Sequence, residues 1–173
     1  MRIALIILLI LLSIVVVVLA VGMTLPEKHV AKTRTSFKAH AAQIWSAITD
    51  IKAFPGWRSD VKSVELLPAV NGKPAWREDG SNGKISYVQE DALAPSRLSV
   101  RLTDDSLPFG GTWTYEIVPA ANGSQLTITE NGIVRNPVFR FVTRFVFGHY
   151  KTQETYLKDL GKRLNETVSP VRM

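Results

Sequence analysis

The stretch AAQIWSAITDIKAFPGW, Ala41 to Trp57, follows a β-rich segment and decides how the chain is read. Ile44, Trp45 and Ile48 recur at helical spacing and share one side of a short helix. Pro55 cannot continue an α-helix, so a second short turn, capped by Asp50, is expected to end before it. The preceding HVAKTRTSF, His29 to Phe37, mostly alternates and reads as a strand. The unit is therefore strand, helix, break, with a tryptophan on either side of the break.

Downstream, Gly, Pro, Asn and Asp recur as punctuation between short β-rich runs. Asn71-Gly72 and Asn122-Gly123 mark hairpin turns, because Asn and Gly tolerate positive φ. Leu98, Val100 and Leu102 alternate with Ser99, Arg101 and Thr103. Trp113, Tyr115 and Ile117 alternate with Thr114 and Glu116, and Leu126 and Ile128 with Thr127 and Thr129. Such alternation predicts an antiparallel sheet with one covered face and one wet face.

The cover for that face is the last element. Asn136 is a cap candidate and Pro137 suits a first helical turn. From there to Glu166 no proline interrupts. A continuous helix would gather Val138, Phe141, Val142, Phe145, Tyr156, Leu160 and Leu164 in one stripe, with Arg140 and Arg144 opposite.

The N-terminus is a different solvent problem. Ile3 to Met23 carries one polar side chain, Ser13, and no charge. At 1.5 Å per residue such a helix is about 31 Å long, the thickness of a bilayer core. A cleaved signal peptide is the rival reading, with Ala20 to Gly22 as a small-residue site, but a signal's apolar region is shorter, about 7–15 residues. Lys28, Lys32, Arg34 and Lys38 follow the helix, so the positive-inside rule leans towards a cytoplasmic domain on a single-pass membrane protein. The expected boundaries are 1–25 for a transmembrane anchor, 26–168 for one folded domain and 169–173 for a short tail.

Composition narrows the function classes. The absence of cysteine rules out a disulfide framework. Setting Arg2 aside from the 21 basic residues leaves five more than the 15 acidic ones. That balance suits an anionic membrane surface, and without a Lys/Arg run interleaved with aromatics it does not point to nucleic acid. The three histidines form no metal-ligand spacing, and no G-x-S-x-G occurs. No cofactor or metal is expected.

The order of these pieces, QIWSAITDIKAFPGW, then GGTWTYEIVPAANGSQLTITE, then the helix running from NPVFRF to TYLKDLGKRLNE, resembles the START-like or SRPBCC superfamily, in its polyketide cyclase/dehydrase-type branch. The resemblance covers Val30 to Glu166. It implies an α+β helix-grip fold, in which a curved antiparallel sheet of about seven strands wraps a long C-terminal helix and encloses a cavity, here with one transmembrane helix in front. On that reading Trp45 anchors the first helix to the core, and Trp57 packs near the cavity mouth.

His149 lies near the centre of the apolar stripe of the expected helix, flanked by Thr152, Gln153 and Tyr156; His29 and His40 read as solvent residues. Strict alternation carries Glu130 to the inner face, where it needs a cation or donors, from Arg77, Arg135 or His149. Tyr87, Gln89, Trp113 and Tyr115 complete the expected lining, an apolar wall with a few polar groups. Three functions follow. The first is a membrane-anchored binding domain for a hydrophobic small molecule such as a lipid, quinone or polyketide-like compound. The second is a cyclase, dehydratase or hydrolase using His149 and Glu130 as an acid-base pair. The third is an accessory protein meeting a membrane-protein partner through its basic surface. VFRFVTRFVF, Val138 to Phe147, also has a reading as an interfacial membrane helix.

Overall fold

The computed structural model describes residues 2–173. Helix α1, Arg2–Thr24, is long and apolar enough to cross a membrane, and its apolar window is not covered by the rest of the chain. Strand β1, Lys28–Phe37, and helix α2, Ala41–Thr49, follow. A 3-10 turn over Ile51–Gly56 then runs through Pro55 rather than ending before it, and the Asp50 side chain does not cap it. Strands β2, Val61–Val70, β3, Lys73–Gly80, β4, Gly83–Leu93, β5, Arg97–Leu102, β6, Phe109–Ala120, and β7, Gly123–Val134, form an antiparallel meander.

The sheet has eight strands in the order β2-β3-β4-β5-β6-β7-β1-β8. β1 pairs with β7, so α2 and the 3-10 turn carry the chain from one side of the sheet to β2 at its far edge. The expected count was about seven; the eighth strand is Val171–Arg172, in the segment read as a tail, which pairs with Thr33 and Arg34 on the open edge of β1. Asn71 and Gly72 both take positive φ in the β2–β3 turn. The β6–β7 turn sits one residue earlier than expected, because Ala120 pairs with Gly123 and leaves Ala121 and Asn122 as its tip.

Alternation decides the inner face. Leu98, Val100, Tyr115, Ile117, Leu126 and Ile128 are buried there against α2 and the last helix. Each such side chain contributes about 1.5–3 kcal/mol by leaving water.

The C-terminal cover departs most from the expected single helix. It is broken into α3, Pro137–Val142, a π-helical turn over Thr143–Phe147, and α4, Lys151–Arg163. Asn136 caps α3 as expected, its Oδ1 accepting from Val138 N and Phe139 N at 2.9 and 3.2 Å. Gly148 ends the π turn at φ 72° and ψ 166°, a conformation nearly closed to residues with a Cβ. The helical phase is lost there. Tyr156, Leu157 and Leu160 of α4 are buried on the sheet, while Phe145 is exposed rather than in a common stripe with them.

Candidate functional site: a walled cavity with a histidine pair

A cavity of about 630 Å³ lies between the sheet, the 3-10 turn and the broken C-terminal cover. Its wall is largely apolar: Trp76, Tyr87, Leu98, Val100, Trp113 and Tyr115 come from the strands, Ile48 from α2, Ile51 and Phe54 from the 3-10 turn, and Phe139 and Val142 from α3. Trp76 and Tyr87 stack at 5.6 Å on adjacent strands, and Trp113 and Tyr115 lie 6.1 Å apart. Two groups of polar side chains interrupt this wall.

The first group stands on β1, β7 and the start of α4. The rings of His29 and His149 stack with centroids 3.8 Å apart. His29 Nε2 lies 3.2 Å from Glu130 Oε1. The other Glu130 oxygen accepts from Gln153 Nε2 at 3.4 Å, and the same amide donates to Ala31 O at 3.1 Å. Glycine makes this arrangement possible. His29 faces Gly132 in the register of β1 and β7, and a Cβ on Gly132 would lie 2.1 Å from the imidazole. The ring therefore lies flat over bare backbone, which no other residue at 132 would permit. Burial lowers the His149 pKa, the neighbouring His29 lowers it further, and Glu130 pulls the other way; the net shift is down.

The second group stands on β3 and the segment after the 3-10 turn. Arg58 reaches Asp60 with two nitrogens, Nε to Oδ1 at 3.1 Å and Nη2 to Oδ2 at 2.8 Å, and Glu78 with Nη1 at 2.9 Å. Trp76 Nε1 donates to the same Glu78 oxygen at 2.9 Å. The guanidinium lies over the Phe54 and Tyr156 rings, at 5.1 and 5.2 Å. Burial raises the Glu78 pKa against the pull of Arg58. Burial disfavours the charge on Arg58, but Glu78 and Asp60 outweigh it and hold its pKa above the ordinary value. The Tyr87, Tyr115 and Tyr156 phenols are all raised, first by burial, and stay neutral.

The structure puts Tyr87, Gln89, Trp113, Tyr115, Glu130 and His149 on the cavity wall. It places three other candidates elsewhere. Trp57 is turned away, packing edge-on against Phe54 and Tyr156 and lining a separate small cleft with Gln43, Asp50 and Arg163. Gln153 is wholly buried behind Glu130, and Tyr156 is buried in the core beneath Trp113 and Tyr115. The expected cations for Glu130 are also otherwise engaged: Arg77 pairs with Glu65 and Arg135 with Asp105. Glu130 instead meets the His29 imidazole and the Gln153 amide.

His29 was read as a solvent residue, yet it has the same parity as Ala31, Thr33, Thr35 and Phe37, whose side chains are all buried. Extending the period-2 pattern of β1 by one step would have found it. Nothing local in the sequence distinguishes Arg58, Asp60 and Glu78 from surface charges. Among the described residues no group of three or more His, Cys, Asp or Glu is arranged to hold a metal.

Comparisons with known proteins agree with this architecture. Among curated proteins no sequence match is found. Among solved structures, a conserved protein from Geobacillus kaustophilus is similar at TM-score 0.66 and 17% identity, covering 82% of this chain and 99% of its own. Norcoclaurine synthase from Thalictrum flavum is similar at TM-score 0.64 and 12% identity, over 85% and 91% of the two chains. The Zhui aromatase/cyclase from Streptomyces sp. R1128 is similar at TM-score 0.63 and 13% identity, over 80% and 94%. At such identities these likenesses establish the fold alone. The family profile described as polyketide cyclase/dehydrase and lipid transport matches residues 28–162, from the start of β1 almost to the end of α4, and the chain belongs to that family.

Proposed function

We propose that this protein is a membrane-anchored binding domain for a hydrophobic small molecule, a lipid, quinone or polyketide-like compound held in the cavity. The observation that carries the reading is the cavity itself: about 630 Å³, with a wall of aromatic and aliphatic side chains interrupted by the two polar clusters described above. The His29, Glu130 and His149 cluster is suited to a ligand's polar head, because its imidazoles can donate or accept while Glu130 fixes His29. The length and composition of α1 support retention in a bilayer, and the basic residues that follow it favour a cytoplasmic domain.

One observation favours a second reading, acid-base catalysis on such a ligand. A carboxylate 3.2 Å from an imidazole on a cavity wall is a usual way to orient a proton-transfer group. In that case His29 and His149, rather than His149 with Glu130, would face the substrate.

The test is extraction of the full chain, purified in nanodiscs, with organic solvent and mass spectrometry of the extract. Binding predicts a compound enriched over nanodiscs lacking the protein, close to one molecule per chain. Extracts indistinguishable from those nanodiscs under several growth conditions would refute the binding reading.

A further inference from the structure

The segment that closes the cavity is apolar both towards the cavity and towards the outside. Phe139, Val142 and Thr143 line the cavity. Val138, Phe139, Phe145 and Val146 are 38%, 44%, 59% and 65% exposed, and Phe141 and Phe145 pack on one another at 4.9 Å. An apolar patch on about two and a half turns of chain is costly in water and usually meets something.

The same segment is fixed to the end of α1. Gly22 is buried against Pro137, so closely that a Cβ would lie 2.0 Å from the Pro137 carbonyl oxygen. Arg140 Nη1 donates to Leu25 O at 2.9 Å, and Nη2 lies 3.8 Å from Glu27. Gly22 is the penultimate residue of the charge-free run Ile3 to Met23. If that run spans a bilayer, Pro137 stands at the membrane boundary and the exposed side of the segment faces it.

From this juxtaposition we infer that α3 and the following π turn, Pro137 to Phe147, form an interfacial membrane element, and that the cavity behind them is reached from the lipid phase. The inference rests on the membrane-anchored reading above. The occupant of the apolar patch is the bilayer that holds α1, not a second protein. The exposed Arg144 beside the patch suits an anionic headgroup, and the apolar side chains suit the acyl boundary. The cavity is then separated from dissolved apolar ligand by one layer of side chains, and the ligand need not cross water.

The chain contains no cysteine, so single labels are clean. Cysteine is placed in the full chain at Phe145, Val146, Leu12 or Val118, the last an exposed residue of β6 serving as a water reference. Each is labelled with an environment-sensitive nitrobenzoxadiazole and reconstituted in vesicles of phosphatidylcholine and phosphatidylglycerol carrying nitroxide lipids. The expected result is quenching by shallow nitroxides at 145 and 146, by deep nitroxides at 12, and at neither depth at 118. Quenching at 12 with 145 and 146 as unquenched as 118 overturns the inference and spares the anchor. Absence of quenching at 12 removes the anchor and the inference with it. Two neighbouring sites guard against one variant misfolding.

Discussion

The imidazoles of His29 and His149 are stacked 3.8 Å apart, and only the first of them is tied to Glu130. Two rings so close resist both being charged. Burial and the neighbouring His29 hold the pKa of His149 below its ordinary value near 6.5, with Glu130 opposing. The folded state therefore binds fewer protons there than the unfolded chain does. Stability on this account is complete above that ordinary value and is lost as pH falls below it, towards the folded-state pKa. Thermal midpoints from pH 7.5 to 5 should decline on acidification, and His149→Gln should make the decline shallower. Parallel curves for the two proteins would contradict the assignment.

Arg58 faces two carboxylates at 2.8 and 2.9 Å with its own side chain 10% exposed. Arg58→Met leaves Asp60 and Glu78 without their cation. Removing one partner of a buried pair costs about 3–5 kcal/mol. Denaturant unfolding followed by tryptophan fluorescence should show a loss in that range at pH 7, and part of it should return in acid as Glu78, already raised by burial, takes up a proton. A loss under about 1 kcal/mol would mean the network is not closed as described.

Gly148 sets where α4 begins. At φ 72° and ψ 166° it has open space around its Cα but a backbone shape that L side chains avoid. Gly148→Ala should cost about 1–3 kcal/mol through the backbone alone, read as a lowered thermal midpoint. An unchanged midpoint would place the break elsewhere.

Glu166 accepts from Lys38 N at 2.7 Å and Ala39 N at 2.8 Å, joining the end of the chain's helical cover to the start of α2. Glu166→Ala should cost about 1.5–3 kcal/mol, the range for hydrogen bonds to a charged group. Glu166→Gln should recover part of that. Equal stability of all three proteins would dismiss the contact.

Some of this was legible in the sequence and some was not, for physical reasons. Alternation in β5, β6 and β7 exposed the inner face because apolar residues recur at every second position, and Leu126 and Ile128 are indeed wholly buried; the opposite side is not uniformly wet, since Ser99 and Thr127 are buried too. Asn136 announced its cap because capping is local. The break at Gly148 was missed because a lone glycine in a helical pattern is usually tolerated, and only its φ reveals that the stripe changes phase. His29 was misjudged by its nearness to α1 in sequence, whereas its place over Gly132 depends on a strand a hundred residues away. The Arg58, Asp60 and Glu78 network was invisible, since three charges of ordinary spacing become one site only when β3 meets the turn before β2.

The central claim is that the cavity holds one apolar molecule. Val100 lies on its wall and is opposite Trp113 in the β5–β6 register, so Val100→Trp fills the space from within. Native mass spectrometry of the full chain released from nanodiscs compares the two proteins, with circular dichroism confirming that both are folded. The account predicts a single added mass on the wild-type chain that is absent from the folded Val100→Trp variant. The same bound mass on both proteins, or none on either, would contradict it.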